Sequence, residues 1–103
     1  MEKVKRKLRK YEGMFILDSA KAGEDLAGMV QRVQEILQKN QAEVESCEKW
    51  DERKLAYVIR GHKRGTYVLA RFAAPPEKIA DIDRTCRLTE EILRVLIVTP
   101  GEA

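Results

Sequence analysis

The chain of 103 residues carries 20 Lys or Arg against 17 Asp or Glu, a net charge of +3. This length predicts one domain with a sizeable core, and the absence of an uninterrupted apolar run of roughly 18 residues or a signal-like N-terminus argues against membrane-spanning and secreted proteins. The two cysteines, Cys47 and Cys86, form no CxxC motif, so a soluble, reduced, cytosolic protein without a metal site is expected.

The first elements follow from their apolar patterns. Residues 1–9 are predicted as a basic extension, followed by a strand over residues 10–17. A helix is predicted over residues 24–40, because its apolar residues recur at steps that place them on one face. An extended arm over residues 42–50 then leads towards the centre of the chain.

A hairpin is predicted at the centre. Residues 54–59 and 66–73 are rich in the β-branched and aromatic residues that favour strands. Residues 60–65 are expected to form its loop, in which Gly61 and Gly65 allow the chain to reverse. The loop is strongly basic.

The last third of the chain predicts a helix and a strand. Pro76 suits a first helical turn, because its missing N–H would have no helical partner there. The last strand is predicted over residues 92–98, which places a single domain at 10–99 and a short C-terminal tail at 100–103. The expected buried stripe of the second helix is Ile79, Ile82, Cys86 and Leu88.

The order strand, helix, strand, strand, helix, strand indicates a fold of the α+β class. Two strand–helix–strand units with right-handed crossovers give a ferredoxin-like sandwich, a four-stranded antiparallel sheet with both helices on one face. Both faces of the first strand are partly apolar, so alternation alone does not decide which face is inside. The covered face is expected to take Phe15, Leu17, Val68, Ala70, Phe72, Val95 and Ile97. Val33, Ile36, Phe72 and Val95 are predicted to be almost fully buried.

The opposite face of this sheet is predicted to be apolar as well. Its residues are Met14, Ile16, Tyr67, Leu69, Leu96 and Val98. A large apolar surface left open to water usually marks a partner site. The candidate partner-binding residues are therefore Met14, Ile16, Tyr67 and Leu69.

Positive charge is concentrated in two stretches. Residues 1–10 have a net charge of +5 and residues 53–71 of +6, which leaves −8 for the remainder. Two basic patches on an acidic body favour a polyanion such as nucleic acid over simple solvation, because Arg and Lys bind phosphates. The candidate residues are Lys5, Arg6, Lys7, Arg9 and Lys10 in the extension, Arg53 and Lys54 at the hairpin base, and Arg60, His62, Lys63 and Arg64 at its tip.

No catalytic arrangement is apparent in the sequence. His62 is the only histidine and has no carboxylate or cysteine close in sequence, and no phosphate-binding glycine motif is present. We therefore expect no enzyme and no cofactor. The RNA-recognition motif shares the predicted fold, but Thr66, Val68 and Arg71 stand where its stacking rings would be. A contact with phosphates is favoured over base reading on the open face.

Several stretches resemble the bacterial small-subunit ribosomal protein S-six family. These are Arg-Lys-Tyr-Glu at 9–12, Arg-Lys-Leu-Ala-Tyr-x-Ile at 53–59, Gly-x-Tyr at 65–67 and Leu-Arg-Val-x-Ile-Val at 93–98. The sequence departs from the family pattern at Asp51, where Gly is frequent, in its longer basic extension and in its short C-terminal tail.

The resemblance implies a non-catalytic ribosomal protein of the cytoplasm. It would bind the central domain of small-subunit ribosomal RNA beside ribosomal protein S-eighteen. The alternative is a ferredoxin-like regulatory or oligomerising module that uses its open apolar face. A small hydrolase on the same fold is less favoured, because the sequence lacks a glycine-rich anion loop followed by a helix.

Overall fold

The computed structural model of the protein describes residues 8–19, 23, 25–59 and 61–100, and only the backbone of residues 56 and 57. The elements within these ranges follow the predicted order. They are strands β1 (Arg9–Asp18), β2 (Glu43–Ile59), β3 (His62–Ala74) and β4 (Ile92–Val98), helices α1 (Leu26–Lys39) and α2 (Ile79–Leu88), and a 3-10 turn at Pro76–Lys78.

The four strands of the described region form one antiparallel sheet in the order β2-β3-β1-β4. The two strands nearest the chain termini in this set, β1 and β4, are neighbours, and β3 lies on the other side of β1. This is the strand order that two strand–helix–strand units produce when they interleave. The ferredoxin-like prediction is confirmed, and β4 begins and ends where the sequence predicted.

Both helices cover the same face of the sheet, and the core lies between them and the strands. In the β1–β3 register Tyr11 lies opposite Phe72 and Phe15 opposite Val68, so these side chains share the covered face. The fully or nearly fully buried residues packed there are Phe15, Leu17, Val68, Ala70 and Phe72 from the strands, Val33, Ile36 and Leu37 from α1, and Ile82 and Cys86 from α2. The predicted facing of β1 and β3 is therefore confirmed.

Helix α1 begins with a side-chain cap. Its N-cap is Asp25, whose Oδ1 accepts a hydrogen bond of 3.0 Å from the Gly28 amide. A carboxylate in this position satisfies a backbone donor that has no partner within the helix. A Cβ atom at Gly28 would collide with this carboxylate, so glycine makes room for the cap. The predicted first residue of the helix, Glu24, lies outside the described residues.

Two burial predictions are wrong. Val95 lies opposite Phe15 and packs against the core on the predicted face, but it is only partly buried, because β4 is an edge strand with a neighbouring strand on one side alone. Leu88 is 81% exposed. Ile82 and Cys86 are four residues apart and face the core together, whereas Leu88 follows Cys86 by two residues and is rotated away by about 200°.

The predicted loop at 60–65 is also wrong. Residues 62–65 belong to β3, and Ile59 pairs with His62, so only residues 60 and 61 connect the two strands. Gly61 has a φ of +82°, the left-handed conformation that short hairpin connections require. The predicted arm and second strand likewise merge into the single 17-residue strand β2. Charged residues can occupy the hairpin end of β2 and β3, because residues 51–54, 63 and 64 are exposed to water.

Candidate RNA-binding and partner-binding surfaces

The β2–β3 hairpin projects beyond the end of the sheet. Strand β1 ends at Asp18, which lies opposite Gly65, whereas β3 begins three residues earlier at His62. In the β2–β3 register Arg53 lies opposite Gly65 and Lys54 opposite Arg64. The structure thus brings together the predicted basic residues Arg53, Lys54, His62, Lys63 and Arg64 on one projecting arm. The predicted Arg60 lies outside the described residues.

Carboxylates accompany several of these cations. Arg53 Nε is 2.9 Å from Asp51 Oδ2, and Arg64 Nε is 3.8 Å from Glu52 Oε2. The hydrogen bond from Arg53 and a second one from the Glu52 amide lower the pKa of Asp51. His62 Nδ1 is 3.6 Å from Asp18 Oδ1.

Two lysines of the arm differ from the arginines. Within the described ranges, Lys54 and Lys63 form no ion pair with a carboxylate, and both are exposed. Among the described cations of the arm, they are therefore the ones most readily available to a phosphate.

The second basic cluster lies at the other end of the sheet. Arg9 and Lys10 open β1 and lie opposite Ala74 and Ala73, nine and eight residues from Asp18 at the hairpin end. At about 3.3 Å per residue the two ends are roughly 30 Å apart. Lys10 Nζ also lies 3.6 Å from Glu45 Oε2. Arg9 and Lys10 are therefore not brought together with the described cations of the hairpin, and the predicted Lys5, Arg6 and Lys7 lie outside the described residues.

The open face of the sheet carries the predicted apolar surface. Met14 lies opposite Leu69 on one side and Leu96 on the other, and Ile16 lies opposite Tyr67. These side chains are partly buried, and Leu96 is 61% exposed. A groove of about 330 Å³ opens on this face and is lined by Met14, Ile16, Leu55, Ile59, Tyr67, Arg94, Val95 and Leu96.

The hairpin curves over this groove, because Leu55 and Ile59 line it together with Leu96 of the far edge strand. Gly65 permits the close approach. A Cβ atom there would lie 2.5 Å from Ile16 Cγ2 and 3.1 Å from Leu55 Cδ2. Gly65 was predicted to reverse the chain, but its role in the structure is to let the arm fold onto β1.

Trp50 forms a second feature of the open face that the sequence analysis missed. Its ring lies edge-on to Tyr67 with centroids 6.0 Å apart, and Arg53 Cζ lies 4.4 Å from the Trp50 centroid. The indole is nevertheless 49% exposed. A single large ring within a run of charged residues was the available signal, since an exposed tryptophan has an unfavourable hydrophobic surface unless something covers it.

The two cysteine thiols are not activated by their surroundings. Burial raises the pKa of the Cys47 thiol to about 11 and that of Cys86 to about 12. Both are free thiols. In the described part of the chain no cluster of His, Cys, Asp and Glu could hold a metal ion, and no helix is long and apolar enough to cross a membrane.

The fold and these surfaces define a ferredoxin-like α+β sandwich with an apolar open face and a basic hairpin. Comparison with known proteins agrees with the resemblance found in the sequence. The model of the family described as Ribosomal protein S6 matches residues 10–99. The chain belongs to this family.

Relatives and a solved structure support the same family. The small ribosomal subunit protein bS6 of Campylobacter lari is 44% identical over 91 residues, which cover 88% of this chain and 73% of the relative. The bS6 of Desulforamulus reducens is 34% identical over 95 residues, 92% of this chain and all of the relative. The crystal structure of 30S ribosomal protein S6 from Thermotoga maritima superimposes with a TM-score of 0.77 at 28% identity and covers 89% of this chain and 87% of that one.

Family membership confirms the predicted broad role. The chain is a ribosomal protein of the small subunit and functions in translation on the cytoplasmic ribosome. The family consists of structural proteins that are generally not enzymes.

Proposed function

We propose that the protein is a non-catalytic structural component that binds the central domain of small-subunit ribosomal RNA together with ribosomal protein S-eighteen. The observation that carries the proposal is the division of the surface. Cations are concentrated on the projecting hairpin and at the start of β1, while the sheet between them presents an apolar groove. One kind of surface suits phosphates and the other suits a protein.

The proposed RNA contact has two parts. The hairpin residues Arg53, Lys54, Lys63 and Arg64 would bind one segment of the backbone. Arg9 and Lys10 would bind another segment roughly 30 Å away, because β1 separates them from the hairpin end of the sheet. The remaining cations of the extension, Lys5, Arg6 and Lys7, are proposed to add phosphate contacts. Arginine can span two phosphate oxygens with its planar guanidinium, whereas lysine acts as a point charge. These contacts position the protein without reading sequence.

The proposed protein contact is the open face within the domain at 10–99. Its centre is formed by Met14, Ile16, Tyr67 and Leu69. Its rim is marked by the ion pair between Arg71 Nε and Glu12 Oε2, which are 3.2 Å apart. An apolar centre with a polar rim is typical of protein interfaces. The same face could instead serve a regulatory or self-associating module, which the groove alone would favour. Such a module has no need of two basic clusters, and the RNA-binding role therefore accounts for more of the surface.

Removing cations from the hairpin should flatten the salt dependence of RNA binding. In Lys63→Ala/Arg64→Ala, two lost phosphate contacts should reduce the slope of log affinity against log salt by roughly 1.4–1.8, since each releases counterions. A chain that starts at Lys10 loses the four proposed contacts of Lys5, Arg6, Lys7 and Arg9, so its slope should fall by roughly 2.8–3.6. Binding of wild type and both variants to a central-domain fragment is measured across a salt titration with the partner present. Equal slopes and affinities for all three would contradict the RNA contact.

Truncating side chains of the open face should weaken partner binding without changing the contacts between the basic residues and the RNA phosphates. Tyr67→Ala and Leu69→Ala should each cost about 2 kcal/mol of binding free energy if they anchor the partner. The matched control is Leu88→Ala, which removes an exposed leucine at the end of α2. Titration calorimetry with S-eighteen and sedimentation of the free protein separate hetero-association from self-association. Unchanged affinity and unchanged self-association in both variants would exclude this face.

A further inference from the structure

Trp50 lies at an irregularity in the pairing of β2 with β3. In the β2–β3 register Lys49 lies opposite Val68 and Asp51 opposite Tyr67, so no β3 residue lies opposite Trp50. It is the additional residue of a β-bulge. Bulges redirect side chains and often occur beside functional sites. Here the bulge places the indole against Tyr67, on the open face of the hairpin arm.

The orientation of the indole is fixed by its neighbours. The Arg53 guanidinium lies 4.4 Å from the ring centroid, within cation–π distance. Asp51 Oδ2 holds Arg53 Nε at 2.9 Å, so the guanidinium is itself positioned. Tyr67 meets the ring edge-on at an interplanar angle of 67°. Half of the indole surface remains open. The result is a flat, positioned ring on which another flat group can stack.

We propose that Trp50 is a stacking platform for one unpaired RNA base. The proposal rests on the RNA-binding role above and names the chemical group that this arm would contact in addition to phosphates. Stacking tolerates any base, because every base has a π-face and no edge contact is required. Lys63 lies four residues from Tyr67 along β3, towards the hairpin tip, and is the proposed contact for a neighbouring phosphate.

A base fits this place better than a protein anchor does. The apolar groove that would receive protein side chains is lined by Ile16, Leu55, Tyr67 and their neighbours but not by Trp50. Trp50 lies instead among charged residues, with Lys49, Asp51 and Arg53 within three positions. A charged, exposed setting around one ring is typical of single-strand binding surfaces, where aromatic rings alternate with cations.

The test uses two probes with the same phosphates. One is an oligoadenylate of about eight nucleotides, within the usual site sizes for single strands, and the other is an abasic chain of equal length. Trp50 is the only tryptophan, so its fluorescence reports directly on the platform. The oligoadenylate should quench it at low salt and the abasic chain should not. Labelled probes then give the affinities of variants by anisotropy.

Trp50→Ala should weaken oligoadenylate binding roughly 5- to 150-fold, the range for loss of one stacked base. It should leave the abasic chain and the salt slope unchanged, because tryptophan carries no charge. Trp50→Phe should restore most of the affinity. The matched control is Val58→Ala, which truncates an apolar side chain of the same strand that is 55% exposed. Thermal melts establish that each variant is folded.

Four results would overturn the platform. The first is that oligoadenylate does not quench the fluorescence at low salt. The second and third are that Trp50→Ala loses affinity equally for both probes, or binds oligoadenylate within twofold of wild type. The fourth is that Trp50→Ala weakens only the binding of the S-eighteen partner. The last would make Trp50 a protein anchor. In each case the salt dependence of ribosomal RNA binding would stay intact. Failure of the RNA-binding role itself would be recognised by the loss of that dependence in the wild type.

Discussion

Phe72→Ala should lower the free energy of unfolding by about 3–5 kcal/mol, the range for truncation of a buried aromatic residue. Phe72 is 1% exposed, and its ring lies 5.9 Å from that of Tyr11. It also approaches the backbone at Gly13, where a Cβ atom would lie 3.3 Å from Phe72 Cε1. The rigid β1–β3 pair cannot collapse into the space that alanine would leave. Urea denaturation of wild type and variant measures the difference.

The control for this prediction comes from the other side of the same sheet. Leu96→Ala removes a side chain that is 61% exposed on the open face, and it should change the free energy of unfolding by less than about 1 kcal/mol. A loss below about 1 kcal/mol for Phe72→Ala, or equal losses for both variants, would contradict the assignment of the two faces.

Alkylation of the native thiols should be slow. The thiolate is the reactive form, and burial raises the pKa of Cys47 from its ordinary 9.0 to about 11 and that of Cys86 to about 12. The nearby carboxylates Glu48 and Asp83 contribute to these rises, whereas a hydrogen bond with Gln34 acts in the opposite direction on the pKa of Cys47. At pH 8 the thiolate fractions should therefore be lower by roughly 100-fold and 1000-fold than those of ordinary thiols. Iodoacetamide labelling followed by mass spectrometry measures both rates.

The same shifts predict how stability responds to alkaline pH. The native state holds the thiol protons more tightly than the unfolded state, so this contribution is fully present below pH 9 and is lost as the pH rises towards 11 and 12. Labelling in denaturant, where both thiols are exposed, should be fast and serves as the control. Native Cys47 that reacts as fast as the denatured chain would contradict the prediction.

The fold was accessible from the sequence because its strong signals are local. Helix α1 has a clear apolar stripe that contains Val33, and the last strand is bounded by turn residues. Leu88 was misplaced because it lies at the very end of a helix, where the stripe has no further turn to define it. The burial of Val95 was overestimated because burial in an edge strand depends on what lies beside the sheet, which periodicity does not report.

The candidate binding surfaces were harder to predict from the sequence, because they depend on the register of strand pairing. The sequence located the basic residues but could not show that Arg9 and Lys63 lie at opposite ends of the sheet, since that follows from pairing between distant segments. The short connection at Gly61 was hidden by the charges that follow it. Trp50 was overlooked because a single ring among charged residues does not by itself reveal the β-bulge that places it against Tyr67.

Strand β2 has a consequence for the protein before it reaches the ribosome. It is 17 residues long and lies at the edge of the sheet, so its outer backbone groups could recruit another chain and start aggregation. The strand resists this in two ways. Its pairing shifts at three places, which interrupts a straight edge, and charges repeat along it at Glu43, Glu45, Glu48, Lys49, Asp51, Glu52, Arg53 and Lys54. These two features should limit edge-to-edge pairing between copies of the newly made chain.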